Sequence, residues 1–162
     1  MKVQRKAGPG AEQLRVMLAG LSDKVARVGF FPSSKYEDGT PVAYVAAIQE
    51  FGSPTEGIPP RSFMRTTAEA QRGAWQSTAR QGARAVTKGN ATGMQVLDVL
   101  GQQAAGDIRK SISRIASPPL KQATIDARLR KRADKTTLGK LDKPLVDTGT
   151  LLNAVTSEVG DK

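Results

Sequence analysis

The chain has 162 residues, which suits one domain of ordinary size, and its 38% apolar and 4% aromatic content predicts a modest core of Val, Leu, Ile and Ala. Lys and Arg outnumber Asp and Glu by 25 to 15, and the formal charge of +10 favours an anionic partner such as nucleic acid or an acidic protein surface. Because Cys and His are absent, disulfides, thiolate chemistry and every Ser-His or Cys-His arrangement are excluded.

The N-terminal part of the chain predicts a flexible arm followed by a short helix. Residues 1–10 lack the apolar run of a signal peptide, and they precede a single domain expected over residues 11–162. No stretch reaches the ~20 apolar residues of a membrane span, so no membrane contact is expected. An amphipathic helix over residues 11–23 is predicted by apolar side chains at helical spacing: Leu14, Met17, Leu18 and Leu21.

A strand and a helix are predicted next. The β-branched and aromatic run of residues 25–31 predicts the strand, and an exposed loop over residues 33–39 follows it. Thr40, whose hydroxyl can cap a first turn, and Pro41 predict the beginning of a helix that Gly52 ends. The apolar face of this helix is expected from three residues: Tyr44, Ile48 and Phe51.

Two longer helices are predicted for the centre of the chain. After an extended Pro- and Gly-rich connection over residues 53–61, Thr66 and Glu69 match a capping box and predict a helix through about Lys88. The clearest periodic signal predicts the second helix over residues 92–115, from six apolar positions: Leu97, Leu100, Ala104, Ile108, Ile112 and Ile115.

The last part of the chain is predicted to leave the core and return to it. The mostly polar residues 116–144 predict a mobile surface excursion. Asp147 or Thr148 is expected to cap a short helix over residues 150–154, and alternation over residues 155–159 predicts a strand.

One motif suggests catalysis. Residues 145–150 read LVDTGT, similar to the signature of retroviral-type aspartic proteases, in which two Asp residues share one proton and activate water. The single copy would need a homodimer to supply a second Asp147, and the helical periodicity contradicts the all-β fold of those proteases. Capping of a helix by Asp147 and Thr148 is the preferred interpretation. The carboxylates have no metal-ligand spacing and no Gly-rich phosphate loop occurs, so no catalytic, cofactor or metal site is predicted.

Two basic clusters could contact phosphates or an acidic partner. The first lies on one face of a predicted helix: Arg72, Arg80, Arg84 and Lys88. The second lies in the predicted excursion: Arg128, Arg130, Lys131, Arg132 and Lys135. No aromatic interleaving or DNA-reading motif accompanies these charges, so a solvated surface is the plain interpretation of both clusters.

Two stretches, read together, resemble a known family. The first is YVAAIQEFG at residues 44–52, followed after a gap by IPPRSFMR at residues 58–65. The second has DIRKSI at residues 107–112, then PPL at residues 118–120 with TI at residues 124–125, and finally PLVDTGTLLNAV at residues 144–155. Their order and spacing are similar to those of the tail-completion, or neck, proteins of long-tailed bacteriophages. Ser62 stands where that family usually has Pro.

The resemblance implies an α+β fold in which a small antiparallel sheet is packed by two longer helices plus short helices. It implies a non-enzymatic virion protein of the head-tail junction, assembled in the host cytoplasm, that completes the tail and joins it to the head connector. The implied partners are further copies in a ring, preferably a hexamer, the tail terminator or tail tube protein, the head connector or adaptor protein, and genomic DNA in the lumen. The interface candidates are residues of the first stretch: Glu50, Phe51, Pro59, Pro60, Arg61, Phe63 and Arg65.

Elementary packing arguments assign roles to four of these candidates. Phe51 and Phe63 are expected to anchor both ends of the Pro-rich connection in the core, while Arg61 and Arg65 reach outward to a carboxylate on a neighbour. Two other functions stay open beside the structural one. They are a basic nucleic-acid-binding protein of phage or prophage origin and, more remotely, an aspartic-type protease that uses the DTG at residues 147–149.

Overall fold

The two terminal parts of the described chain pair with each other in an antiparallel sheet. The structure is a computed structural model that describes residues 23–131 and 142–162. In these ranges the strands and helices follow one another as β1 (Lys24–Phe30), α1 (Val42–Phe51), α2 (Met64–Thr87), α3 (Gly93–Arg114), α4 (Gln122–Lys131), α5 (Thr150–Asn153) and β2 (Val155–Asp161). The register sets Lys24 opposite Asp161 and Phe30 opposite Val155. The expected α+β fold is confirmed.

Helix α3 is the centre of the packing. It contacts both strands and also packs against α2, and its Arg109 side chain donates a hydrogen bond to the Val155 carbonyl at the beginning of β2. The rings of Phe30 and Phe63 meet edge to face, with centroids 6.0 Å apart. The main core cluster joins residues from distant parts of the chain: Val42, Ala46, Phe63, Ala105, Ile108, Ile112, Leu145, Leu151 and Val155. The predicted core composition of aliphatic residues and Ala is therefore observed, with Phe63 added.

Helix α1 buries a different face from the predicted one. Tyr44 and Phe51 are 60% and 64% exposed, whereas Val42, Ala46 and Glu50 are buried. The prediction was wrong because the small side chains allow α1 to approach the core closely, while hydrogen bonds compensate the burial of Glu50. The predicted cap was also wrong: Pro41, not Thr40, is the N-cap residue, without a side-chain hydrogen bond.

The two long helices begin in different ways. The predicted capping box at Thr66 and Glu69 was wrong, because α2 already begins at Met64. Helix α3 has a capping box: the Thr92 hydroxyl accepts from the Gln95 N–H at 3.3 Å, and the Gln95 side chain accepts from the Thr92 N–H at 2.8 Å. The predicted extent of both helices agrees with the structure to within about two residues.

The C-terminal elements confirm the predicted order of a short helix and a strand. The N-cap residue of α5 is Gly149, whose φ is 84°, and this residue has no side chain with which to cap the helix. The prediction that Asp147 caps it was wrong, because the Asp147 carboxylate lies 3.7 Å from the Arg128 guanidinium. The Thr148 hydroxyl does accept from the Thr150 N–H, at 3.4 Å.

Several predictions fall wholly or partly outside the described residues. The arm over residues 1–10 and nearly all of the helix over residues 11–23 belong to this group, as does part of the excursion over residues 116–144. The described part of that excursion contains α4 and a buried Pro144. Across the described ranges, no helix combines the length and the apolar character needed to cross a bilayer.

Candidate functional site

The carboxylate of Glu50 connects α1 to the first turn of α2. Its two oxygens accept hydrogen bonds from the backbone N–H of Met64 at 2.9 Å and of Arg65 at 3.1 Å, so the carboxylate does what the predicted capping box was expected to do. The Arg65 Nε also donates to Glu50, at 2.9 Å. A buried negative charge at the N-terminus of α2 is favoured by the helix dipole as well as by these bonds.

These contacts change the acidity of Glu50. Burial by itself raises the pKa of its carboxyl, because it disfavours the charged form. The hydrogen bonds from the Met64 backbone and from the Arg65 side chain and backbone outweigh this effect and hold the pKa below its ordinary value. Glu50 is therefore an ionised structural group at neutral pH.

Arg61 points into the protein. It is 5% exposed, and its guanidinium donates to the carbonyls of Pro118 at 2.8 Å and Pro119 at 3.1 Å and to the Gln49 side chain at 3.1 Å. Burial, and then the positive charge of Arg128, lower the pKa of this guanidinium. The expectation that Arg61 reaches a neighbouring subunit was wrong, because its donors already bind the chain that follows α3.

The remaining interface candidates separate into an inner and an outer group. Phe63 is fully buried, as predicted, and Pro59 is half-buried. Pro60 is exposed. The Arg65 guanidinium lies over the Phe51 ring at 4.7 Å from its centroid, and both side chains are exposed, so the expected anchoring of Phe51 in the core was wrong.

An exposed surface therefore remains from the first stretch. Tyr44 and Phe51 are seven residues apart on α1 and lie on the same side of that helix, and Arg65 extends this side beside Phe51. We call these three residues the α1 surface. Exposed aromatic and Arg side chains of this kind are enriched where proteins bind one another. Sequence periodicity selected Tyr44 and Phe51 but assigned them to the core.

The first basic cluster is exposed, as a binding face requires. Its four members form what we call the basic stripe, which runs along α2 and the residue after it: Arg72, Arg80, Arg84 and Lys88. The opposite side of α2 packs on α3, and Val86 is buried there. The stripe can reach phosphates or a carboxylate-rich protein without displacing any core residue.

The second basic cluster is not a single face. Arg128 turns inward and donates to the carbonyls of Lys143 at 2.8 Å and Pro144 at 3.4 Å, and its side chain is 12% exposed. Arg130 is exposed. The Lys131 side chain and residues 132–135 lie outside the described part. Arg128 is thus a structural residue that joins α4 to the chain preceding α5.

The DTG residues line a cavity of about 290 Å³ that has both polar and apolar walls. Asp147 and Arg128 line it together with Tyr36 and Asp38 from the loop after β1, which sequence reasoning did not select. Burial, and then the charges of Asp147 and Asp38, raise the pKa of the Tyr36 hydroxyl. The Asp147 carboxylate lies 3.7 Å from the Arg128 guanidinium, and the Asp38 carboxylate lines the same cavity. In the described ranges, no group of three or more acidic side chains could hold a metal ion.

The chain was compared with protein families, with curated proteins and with solved structures, and no match was found. Because no relative indicates a function, a function has to be inferred from the surfaces of the molecule, which are the α1 surface and the basic stripe.

Proposed function

We propose that this chain is a structural virion protein of the head-tail junction, which completes the tail and joins it to the head connector as a ring of copies, preferably a hexamer. The observation that carries the proposal is that the two stretches resembling neck proteins form one structural unit. Arg61 of the first stretch binds the carbonyls of Pro118 and Pro119, and Phe63 shares a core cluster with Leu145 and Val155 of the second stretch.

The α1 surface supports association with other subunits. A closed ring needs two different surfaces on each copy, because every subunit contacts its neighbours head to tail. Tyr44 and Phe51 offer an aromatic surface for one of these contacts, and the Arg65 guanidinium, whose Nε and Nη2 donate to Glu50 and Ser62, covers its edge. The small aliphatic core also fits a subunit that gains stability from its neighbours.

A second function is favoured by the basic stripe. Four exposed cations along α2 and the residue after it could bind the phosphates of DNA, in the lumen of a ring or in an independent nucleic-acid-binding protein. The two functions differ in their partners. A ring protein binds copies of itself or tail components at ordinary salt, whereas a DNA-binding protein loses affinity steeply as salt rises.

Light scattering tests the proposal by measuring the mass of the purified protein. The protein is measured alone and then with tail tubes or tail-terminator protein added. Duplex DNA at two salt concentrations is measured in parallel. We expect a ring, or a monomer that is recruited by tail components. A monomer that ignores tail components but binds DNA with a steep salt dependence would overturn the neck proposal in favour of the second function.

Paired variants locate the contact. Tyr44→Ser with Phe51→Ser removes the aromatic part of the α1 surface and is expected to abolish the ring or the recruitment. The matched control is Met94→Ser with Val99→Ser, which removes two other exposed apolar side chains, 43% and 54% exposed, from α3. Equal loss of association in both double variants, with both still folded by circular dichroism, would exclude the α1 surface as the specific contact.

A further inference from the structure

An apolar groove lies between β1 and α2, which both neighbour α3. Its volume is about 600 Å³, within the range of a ligand-sized cavity, and its lining is mostly aliphatic and aromatic. The side chains that matter here come from β1, α2 and α3: Val25, Val28, Ala68, Trp75, Leu97 and Leu100. Trp75 is held in this lining by a 2.9 Å hydrogen bond from its indole N–H to Asp107. A groove of this volume with a mostly apolar lining has the size and character of a binding site.

The beginning of the described chain lies at the rim of this groove. The first described residue is Asp23, and Val25, which follows two residues later, is part of the lining. The residues before Asp23 are therefore attached to the site that they would cover. A short tether of this kind gives an effective concentration on the order of millimolar, which a partner in free solution must exceed.

The sequence before Asp23 has the composition that such a groove accepts. Its apolar residues recur at steps of three and four: Leu14, Met17, Leu18 and Leu21. On a helix these positions form one stripe, and a helix of 12 residues would be about 18 Å long. The opposite side of the same helix would carry Glu12, Arg15 and Ala19 and could face solvent.

We propose that the groove is the binding site of residues 11–22 of the same chain, whose leucine and methionine stripe covers Trp75 and its apolar neighbours. The proposal goes beyond the neck function and does not depend on it. It reserves the groove for an intramolecular contact, so that other subunits bind elsewhere. It therefore applies equally to a ring subunit and to a DNA-binding monomer.

The fluorescence of Trp75 gives a direct readout, because it is the only tryptophan in the chain. Leu14→Ser, Leu18→Ser and Leu21→Ser together remove most of the stripe. We expect a red shift of the emission maximum and stronger quenching by acrylamide. The matched control, Glu12→Ser, Arg15→Ser and Ala19→Ser, makes the same number of serine substitutions on the opposite side and should keep the wild-type spectrum. Identical spectra of wild type and both folded variants would overturn the proposal.

Cross-linking decides the identity of the occupant and needs no destabilised variant. The chain has no Cys, so Leu18→Cys with Ala68→Cys introduces one defined pair, and Ala19→Cys with Ala68→Cys is the control. With a short bis-maleimide, we expect an intrachain product in dilute protein from the Leu18 pair, several-fold more abundant than from the Ala19 pair. A product that joins two chains would assign the groove to a second copy. Absence of any product would exclude the N-terminal segment, and either result would overturn the proposal without affecting the test of the ring by mass.

Discussion

At the scale of single residues, Glu50 shows how a buried charge can hold two helices together. Its carboxylate is 4% exposed and accepts two backbone N–H groups of α2 and the Arg65 Nε. These donors bind the ionised carboxylate more strongly than the neutral acid, because hydrogen bonds to a charged acceptor are the stronger ones. The stability of the connection between α1 and α2 should therefore depend on pH.

Glu50→Gln tests this dependence. Because the folded-state pKa of Glu50 lies below its ordinary value, its stabilisation is complete above the unfolded pKa of about 4.3 and is lost as the pH falls through the folded pKa. We expect the variant to be about 1–2 kcal/mol less stable near pH ~7 and to lose less stability than the wild type near pH ~3. Urea unfolding at both pH values measures this, with the exposed Glu56→Gln as control. If the free energy of unfolding changed by the same amount between the two pH values in wild type and in Glu50→Gln, this expectation would be contradicted.

The two arginines of the first stretch make a second test at this scale. Arg61→Ala leaves the carbonyls of Pro118 and Pro119 and the Gln49 side chain without their donor, and we expect a loss of roughly 1–3 kcal/mol. Arg65→Ala removes a side chain that is 59% exposed and takes one donor from the buried Glu50 carboxylate, which keeps its two backbone donors, so a smaller loss of about 1 kcal/mol is expected. Thermal and urea unfolding compare the two variants. A larger loss of stability from Arg65→Ala than from Arg61→Ala would contradict this expectation.

Residue types predicted these roles only in part. Phe63 was correctly assigned to the core, where its ring meets that of Phe30 edge to face. Arg61 was predicted to point outward but is buried, whereas Phe51 was predicted to be buried but is exposed. The carbonyls that bind Arg61 lie 57 and 58 residues later in the chain, and no local pattern indicates such a distant partner.

At the scale of elements, the two glycines of α2 should respond in opposite ways to the same substitution. No atom lies within 4 Å of the position that a Cβ would take at Gly73, so Gly73→Ala should stabilise the helix by up to about 1 kcal/mol. At Gly82 that position is 2.3 Å from a methyl carbon of Val96 on α3. Val is stiff at χ1 and cannot turn aside easily, so Gly82→Ala should destabilise the protein despite its better helix propensity.

The measurement for this pair is the free energy of unfolding of each variant from urea titration. Each glycine serves as the control for the other, because the propensity gain is common to both. Stabilisation by both substitutions would mean that α2 and α3 do not approach each other as closely as the Gly82 contact requires. Destabilisation by both would contradict the open surroundings of Gly73.

Hydrophobic periodicity predicted the elements better than their ends or faces. The run from Leu97 to Ile115 predicted α3 because six positions repeat the same pattern, and the apolar runs over residues 25–31 and 155–159 correctly predicted β1 and β2. The beginning of α2 was wrong because its cap comes from Glu50, a tertiary partner. The face of α1 was wrong because periodicity does not distinguish an exposed aromatic surface from a buried one.

At the scale of the whole molecule, the resembling stretches serve two purposes. Their inner residues tie α1, α2 and the segment before α5 into one fold, while Tyr44 and Phe51 remain exposed. The basic stripe occupies the side of α2 that faces away from α3. The two surfaces lie on different helices, α1 and α2, so the proposed contact with other copies and a contact with an anionic partner would not compete for the same residues.

Removing charges from the basic stripe tests whether it binds DNA. The triple substitution Arg80→Ala, Arg84→Ala and Lys88→Ala removes three adjacent charges of the stripe. If they contact phosphates, the affinity for duplex DNA should fall, and the slope of log affinity against log salt should become shallower by roughly 2–3. Fluorescence anisotropy with labelled duplex at several salt concentrations measures both quantities.

The control is a triple variant that removes three positive charges outside the stripe: Lys35→Ala, Arg114→Ala and Lys121→Ala. All three of these side chains are exposed. Each triple variant lowers the 25 basic residues to 22 against 15 acidic ones, so the net charge is +7 in both. An effect confined to the stripe variant would assign DNA contact to α2. An equal effect in both would mean that net charge alone attracts the polyanion, because diffuse attraction depends on total charge and not on its arrangement. In that case the basic stripe would have no specific role in binding DNA.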